Sequence, residues 1–181
     1  MKYALAYNKF HNLQSIGIDG TAEKLIQYAY KNGNSRLKSV TYANGDTMKA
    51  TYNALGQMVA EKWYNMSNDV VAWYKYLYDG AGNLVRSLDI LAKKEYTYTY
   101  EGGVIVAATE SDVVLNGEIV TAKTVVNTIR YTYDADGQLT KKAIVPANGK
   151  TQMIFVQQIQ LVQAPKITRD LGCLWYVKLL L

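Results

Sequence analysis

Cysteine occurs once in this 181-residue chain, at Cys173, and histidine once, at His11. One thiol excludes an intrachain disulfide and a thiolate metal cluster, and leaves the redox compartment open. One imidazole excludes histidine-rich metal sites. No apolar run reaches the roughly 18 residues that a spanning helix needs. The start, Met1-Lys-Tyr-Ala-Leu-Ala-Tyr-Asn8, has the basic opening of a signal peptide, but Asn8, Lys9, His11 and Asn12 end its apolar run too early. Phenylalanine is nearly absent, with 2 residues against 16 tyrosines. A sealed core would use more Phe, Leu and Ile. Tyrosine suits a sheet face that is half buried, because its ring packs while its hydroxyl finds water or a partner. The charge is mild, +5 from 20 basic and 15 acidic residues. The lysines are dispersed and read as the solvated side of a sheet and as edge residues that discourage aggregation. No nucleic-acid partner is expected.

What the chain does have is self-similarity. Tyr74-Lys-Tyr-Leu-Tyr-Asp-Gly-Ala-Gly-Asn-Leu84 is an aromatic alternation that runs into an Asp and Gly turn. Tyr74, Tyr76 and Tyr78 are two apart and share one face of a strand. Asp79, Gly80, Gly82 and Asn83 have turn chemistry. Tyr131-Thr-Tyr-Asp-Ala-Asp-Gly-Gln-Leu139 repeats the unit, with Tyr131, Tyr133, Asp134 and Gly137 in the same places. Tyr52-Asn53-Ala-Leu-Gly56 swaps Asp for Asn, and Tyr96-Thr-Tyr98-Thr-Tyr100-Glu101-Gly-Gly103 swaps it for Glu. Tyr28–Leu37 is looser. In Tyr7–Leu13, His11 stands where the glycine belongs and reads as a turn residue, not a base. The last tyrosines, at 7, 30, 52, 78, 100 and 133, step by about 22 residues with insertions.

Asn-Gly pairs at Asn32-Gly33, Asn44-Gly45, Asn116-Gly117 and Asn148-Gly149 mark further hairpin turns. Two more far turns are expected at Asn65–Asp69 and near Asp89–Lys93. Each repeat thus has two strands and two turns. One strand face should be a tyrosine ladder and the other mixed, with cross-strand aromatic and threonine pairs between them. The segment Gly20–Tyr30 has some helical spacing, but its Tyr-Ala-Tyr end favours a strand. Residues 104–130 are rich in β-branched residues and predict a long hairpin about Asn116-Gly117, projecting from the sheet or packed across its end.

Tyr-Asp-x-x-Gly-[Asn/Gln]-Leu at this period resembles the YD-repeat, or RHS-repeat, family over residues 1–150. The resemblance implies an all-β fold, with repeated antiparallel β-hairpins forming a curved, twisted sheet, part of a hollow shell. In bacterial relatives that shell encloses a toxin or other cargo, or acts at the cell surface. The repeat-defining residues are then Tyr52, Asn53, Gly56, Tyr76, Tyr78, Asp79, Gly82, Tyr98, Tyr100, Gly103, Tyr131, Tyr133, Asp134 and Gly137. Asp79 and Asp134, at equal places in two repeats, read as turn caps and not as paired catalytic carboxylates. Asp112, Asp134 and Asp136 lack the spacing of a calcium loop. Gly80-Ala-Gly82 and Gly102-Gly103 are too short for a phosphate fingerprint. Asn65-Met-Ser67 is a formal glycosylation sequon. The self-cleavage motif of some family members was not found in this sequence.

The expectation is therefore a structural segment with no catalysis, no cofactor and no metal, partnered by neighbouring repeats of a longer parent array that is secreted or at the cell surface. The partner beyond the array would be an encapsulated toxin or a cell-surface glycan, without a membrane span. A second hypothesis is a carbohydrate-binding or adhesion module using the Tyr/Trp face, with Trp63 and Trp73 as stacking surfaces. Residues 151–181, without Tyr-x-Tyr, Asp-Gly or Asn-Gly, read either as a membrane-associated or docking tail, too short and mixed to span, or as an irregular end of the reading frame. The isolated chain, starting and ending without a polar cap, is expected to self-associate or to be marginally folded.

Overall fold

The computed structural model of the chain describes residues 2–31, 35–149 and 151–155. The Asn32-Gly33 turn and the tail beyond 155, with Pro165, Cys173 and Trp175, lie outside the described residues. Among the described residues there is no helix and there are thirteen strands: β1 (Tyr3–Tyr7), β2 (Leu13–Ile18), β3 (Lys24–Tyr30), β4 (Leu37–Tyr42), β5 (Thr47–Tyr52), β6 (Met58–Tyr64), β7 (Val70–Tyr78), β8 (Leu84–Asp89), β9 (Lys94–Glu101), β10 (Val104–Asn116), β11 (Ile119–Tyr133), β12 (Leu139–Pro146) and β13 (Gln152–Phe155). They form one open sheet in which strand order is chain order. Every neighbouring pair is antiparallel, so each strand lies beside its sequence neighbours, the arrangement short hairpin turns dictate.

Residues 24–30 form a strand because a period of two serves packing there. Ile26 and Tyr28 fall on one face and pack against the buried cluster Val40, Met48, Ala50 and Met58. Tyr42, Tyr52, Trp63 and Tyr76 join them. Register ties that face together: Ala50 pairs Glu61, Glu61 pairs Tyr74, Tyr74 pairs Asp89, Asp89 pairs Lys94 and Lys94 pairs Asp112. This row belongs to the tyrosine face. The opposite face carries Lys49, Lys62 and Trp73 in a second paired row.

The opposite face has a smaller core of its own, Leu88, Ile90 and Val113, flanked by Trp73, Leu115 and Val120. It exists because β10 and β11 outrun their neighbours. β9 pairs β10 only as far as Asp112, and β12 pairs β11 only from Asn127 onward. Of two irregularities in the β10–β11 pairing, Glu110/Ser111 lies at the root of the overhang and Val114/Leu115 within it. Bulges increase local twist and bend a ribbon. The overhanging hairpin folds back across β7–β9, and its tip residue Glu118 reaches Lys75 with Oε2 2.8 Å from Nζ. Lys123 anchors the returning strand to Glu95 at 3.3 Å. The hairpin thus neither projects nor packs on the sheet's end; it makes a second layer over one face. Val113 and Val120 are apolar on both sides of the hairpin's inner surface, and that burial outweighs keeping the ribbon straight in solvent.

The tyrosine face and its turns as the candidate functional site

Four turns along the motif edge share one hydrogen-bond pattern. In the first, the Asn8 Oδ1 accepts the Phe10 and Asn12 amides at 2.9 and 3.1 Å. The Asn53 Oδ1 accepts the Gln57 amide at 2.9 Å, while its Nδ2 donates to Gln57 Oε1 at 2.7 Å. The Asp79 Oδ1 accepts the Ala81 and Asn83 amides at 2.9 and 2.8 Å, and its Oδ2 accepts Asn83 Nδ2 at 3.0 Å. The Asp134 Oδ1 accepts the Asp136 and Gln138 amides at 3.0 and 2.8 Å. The side-chain bond from Asn83, with the backbone amides behind it, holds the Asp79 carboxyl below its ordinary value.

The glycine of each unit takes the left-handed backbone the turn requires: φ is +84° at Gly56, +89° at Gly82 and +77° at Gly137. His11 occupies the same place with φ +61°, and its amide donates to the Asn8 carbonyl as Gly56, Gly82 and Gly137 do to residues 53, 79 and 134. The far turn Asn65–Asp69 uses the same pattern, with Asn68 at φ +65° in the glycine position. Its Asn65 amide nitrogen is bonded to Asp69 Oδ2 at 3.1 Å, so the sequon asparagine is engaged inside the turn. The unit after Tyr100 differs. Glu101 ends β9 and pairs Val104, and Gly102 and Gly103 at +57° and +82° make a two-residue turn. Glu101 does not take the aspartate's place, because two successive glycines supply both positive φ values without a capping side chain.

The strand-end tyrosines lock each strand to the one before it. The Tyr30 hydroxyl donates to the Leu13 carbonyl at 2.7 Å, Tyr78 to Met58 at 2.9 Å, Tyr100 to Leu84 at 2.9 Å and Tyr133 to Ile105 at 2.7 Å. The acceptor is at or next to the first residue of the preceding strand, immediately after the previous turn. The motif tyrosine and the post-turn apolar residue therefore meet between units. Burial pushes all four hydroxyls up from their ordinary pKa. Tyr52 instead lies under Lys31, whose Nζ is 5.4 Å from the ring centroid. Inner tyrosines take polar side chains: Tyr98 meets Ser87 Oγ at 2.9 Å, and Tyr76 donates to Glu61 Oε1 at 3.0 Å. Tyr131, on β11, is half buried, and burial raises its pKa.

Among the described residues, three glutamates that the repeat pattern does not single out are the buried charges. Glu61, 1% exposed, sits among tyrosines, and burial, then the charges of Asp89 and Glu61, push the Tyr74 hydroxyl up. Glu110 accepts from Asn127 Nδ2 at 2.7 Å and from the Tyr96 hydroxyl at 3.3 Å, and lies 3.2 Å from Lys94 Nζ. Glu95, on the opposite face, takes Arg86 Nε at 2.5 Å and Lys123. Glu95 and Glu110 are satisfied by groups from other strands, which is how a carboxylate tolerates burial, and Glu61 accepts the Tyr76 hydroxyl on Oε1 while its Oε2 accepts no hydrogen bond. Among the described residues no group of three or more His, Cys, Asp or Glu side chains is placed to hold a metal ion. No helix of the described residues is long and apolar enough to cross a membrane. A shallow, open recess lies beside the Asn44-Gly45 turn, lined by Tyr42, Ala43, Asn44, Asp46 and Trp63.

Hairpins in chain order, capped by Asn or Asp turns and locked by tyrosines, make a fold that can be compared with known structures. The chain shares its fold with a stretch of the Tc toxin chains. It aligns with the Photorhabdus luminescens Tc holotoxin pore carrying the TccC3 D651A mutation at a TM-score of 0.60 and 20% identity, over 83% of this chain and 8% of that one. It aligns with TcdB2-TccC3 at 0.60 and 20%, over 83% and 9%. TcdB2-TccC3-Cdc42 gives 0.59 and 21%, over 83% and 8%. This chain spans less than a tenth of the length of these three. No protein-family model and no curated protein sequence matches it. The likeness in fold agrees with the YD-repeat pattern read from the tyrosines and turns.

Proposed function

We propose that this chain is a non-catalytic wall segment of a larger, toxin-associated β-hairpin shell, secreted or displayed at the cell surface by a bacterium. The observation that carries the reading is the tyrosine lock, repeated from unit to unit in a sheet whose strand order is chain order. Such a sheet is extended by adding units and has no closed interior of its own. Its partners are then neighbouring repeats of a parent chain, and its role is to enclose a toxin or other cargo. The fold shared with short stretches of Tc toxin chains supports this. Expression of the chain with its flanking sequence, imaged by electron microscopy, tests it. Hollow closed particles are expected; extended filaments or separate beads would refute the shell.

A second reading, a carbohydrate-binding module, rests on the recess at Tyr42 and Trp63, whose rings lie 6.1 Å apart at 22°. A glycan-array screen separates the two readings, since a wall segment gives no specific signal.

A further inference from the structure

On the face away from the tyrosine ladder, three lysines stand on three consecutive strands. Lys49 of β5 and Lys62 of β6 are direct cross-strand partners. Lys62 pairs Trp73 of β7, and Lys75 is two residues along β7 on the same face. Like charges placed directly opposite are destabilising in an antiparallel pair. A sheet that only needed to be a wall would gain by replacing one of them. Local rules are broken most often where function is served.

The ammoniums of Lys49 and Lys62 are held over rings rather than by an acid. Lys49 Nζ lies 4.6 Å from the Tyr64 centroid, and Lys62 Nζ 3.3 Å from that of Trp73. A cation over a ring keeps its charge available on the outer side. One carboxylate does reach the patch, and it comes from another element. Glu118, at the tip of the overlaid hairpin, bonds Lys75 at 2.8 Å. That bond, and then the charges of Lys75 and Lys62, hold the Glu118 carboxyl below its ordinary value. The hairpin tip thus shows a peptide carboxylate docked on one end of the patch. Beside it on the same face, Val71 and Leu77 of β7 are exposed apolar residues, 56% and 54%. They offer apolar contacts of the kind a polypeptide makes and a plain counter-ion does not.

We propose that Lys49, Lys62 and Lys75, with Trp73 and Tyr64, form a docking surface for an acidic polypeptide segment, and that Glu118 occupies part of it as an internal competitor. The lysines stand on strands about 4.8 Å apart, and same-side carboxylates of an extended peptide are about 6.6–6.8 Å apart, a difference that the long lysine side chains span. This surface does not depend on the shell reading.

The test uses the full chain and a fluorescently labelled octaglutamate peptide, titrated by anisotropy at low salt, with an octaglutamine peptide, an oligothymidylate and a sulfated oligosaccharide as comparators. Octaglutamate is expected to bind and octaglutamine not to. Affinity should fall as ionic strength shortens the screening length from about 30 Å at 0.01 M to about 8 Å at 0.15 M. The double variant K49Q/K62Q should lose about tenfold or more in affinity. E118Q should bind tighter, because Lys75 is released. K49Q/K62Q removes a like-charge pair, so its melting temperature should hold or rise, and loss of binding is not loss of fold. Equal binding by K49Q/K62Q and wild type overturns the proposal, as does weaker binding by E118Q. Preference for the oligothymidylate or the sulfated sugar over octaglutamate overturns it too, in favour of a general polyanion surface.

Discussion

Truncating Leu88 to alanine should detach the overlaid hairpin before it unfolds the sheet. Leu88 is 2% exposed and lies beneath Val113, Leu115 and Val120 of that hairpin. The change deletes three carbons, worth about 2.4 kcal/mol at ~0.8 kcal/mol per buried methylene. Leucine-to-alanine changes in cores cost about 2–5 kcal/mol once the cavity is included. A two-layer patch at the surface can collapse partly, which places the expected loss in the lower half, about 2–3 kcal/mol. Val113→Ala works on the other side of the same contact and should cost about 1–2 kcal/mol. Because the two residues share one cluster, the double variant should fall short of additivity by about 0.5 kcal/mol or more, whereas independent sites add within ~0.3–0.5 kcal/mol. Denaturant melts supply the cycle. Native-state hydrogen exchange supplies the location: amides of residues 113–123 should lose protection in Leu88→Ala while those of β4–β6 keep theirs. Strict additivity, with unchanged protection across residues 113–123, would refute the second layer.

Tyr100→Phe should cost about 0.5–1.5 kcal/mol by removing the bond to the Leu84 carbonyl, and Tyr78→Phe the same at Met58, as read by chemical melts. His11→Gly should stabilise by up to about 1 kcal/mol, since His11 sits at φ +61° where a side chain strains the backbone; a lower melting temperature would argue against a glycine-type turn there. Alkaline pH should weaken the fold. The locking hydroxyls have folded pKa values raised above the ordinary 10.0, so their contribution is complete below pH 10 and is lost as pH rises through the raised values. Absorbance at the tyrosinate band, followed beside circular dichroism, should show ionisation and unfolding together. Asp79→Asn should be milder than Asp79→Ala in thermal melts, because Asn53 already makes the same turn bond in another repeat; equal losses would point to a need for charge.

Much of this architecture is written locally. A turn is specified within five residues, so Asp79-Gly-Ala-Gly-Asn83 and its copies could be placed, and even His11 could be assigned to the glycine's position. Tyr28 and Tyr30 marked β3 as a strand against its helical spacing. What escaped depends on residues far apart in sequence. No short-range pattern says that Val113 will lie on Leu88 or Glu118 on Lys75, because the packing is decided by which face the bent ribbon falls toward. The buried glutamates were hidden for the same reason. Glu110 looks like any exposed acid until Asn127, 17 residues on, and Tyr96, 14 residues back, are folded around it. Glu101 was misplaced because the tyrosine stripe before it matched, while two glycines in succession changed the turn's geometry. The like-charge pair Lys49 and Lys62 needed the strand register to become visible.

The overlaid hairpin changes how the sheet would answer a pull. A sheet in which each strand touches only its sequence neighbours peels under tension from its edges, one strand at a time and at low force. That description holds for the strand pairing of β1 to β6, where side-chain contacts such as Tyr42 of β4 with Trp63 of β6 skip a single strand. It fails at the middle, where Lys75 of β7 is latched to Glu118, 43 residues further along the chain. A chain gripped at its two ends would yield smoothly until that latch and the contacts of Leu88 with Val113 bore the load. They would then release together, and one long step would appear among the short ones, with Asp79 through Asn116 let out in a single extension.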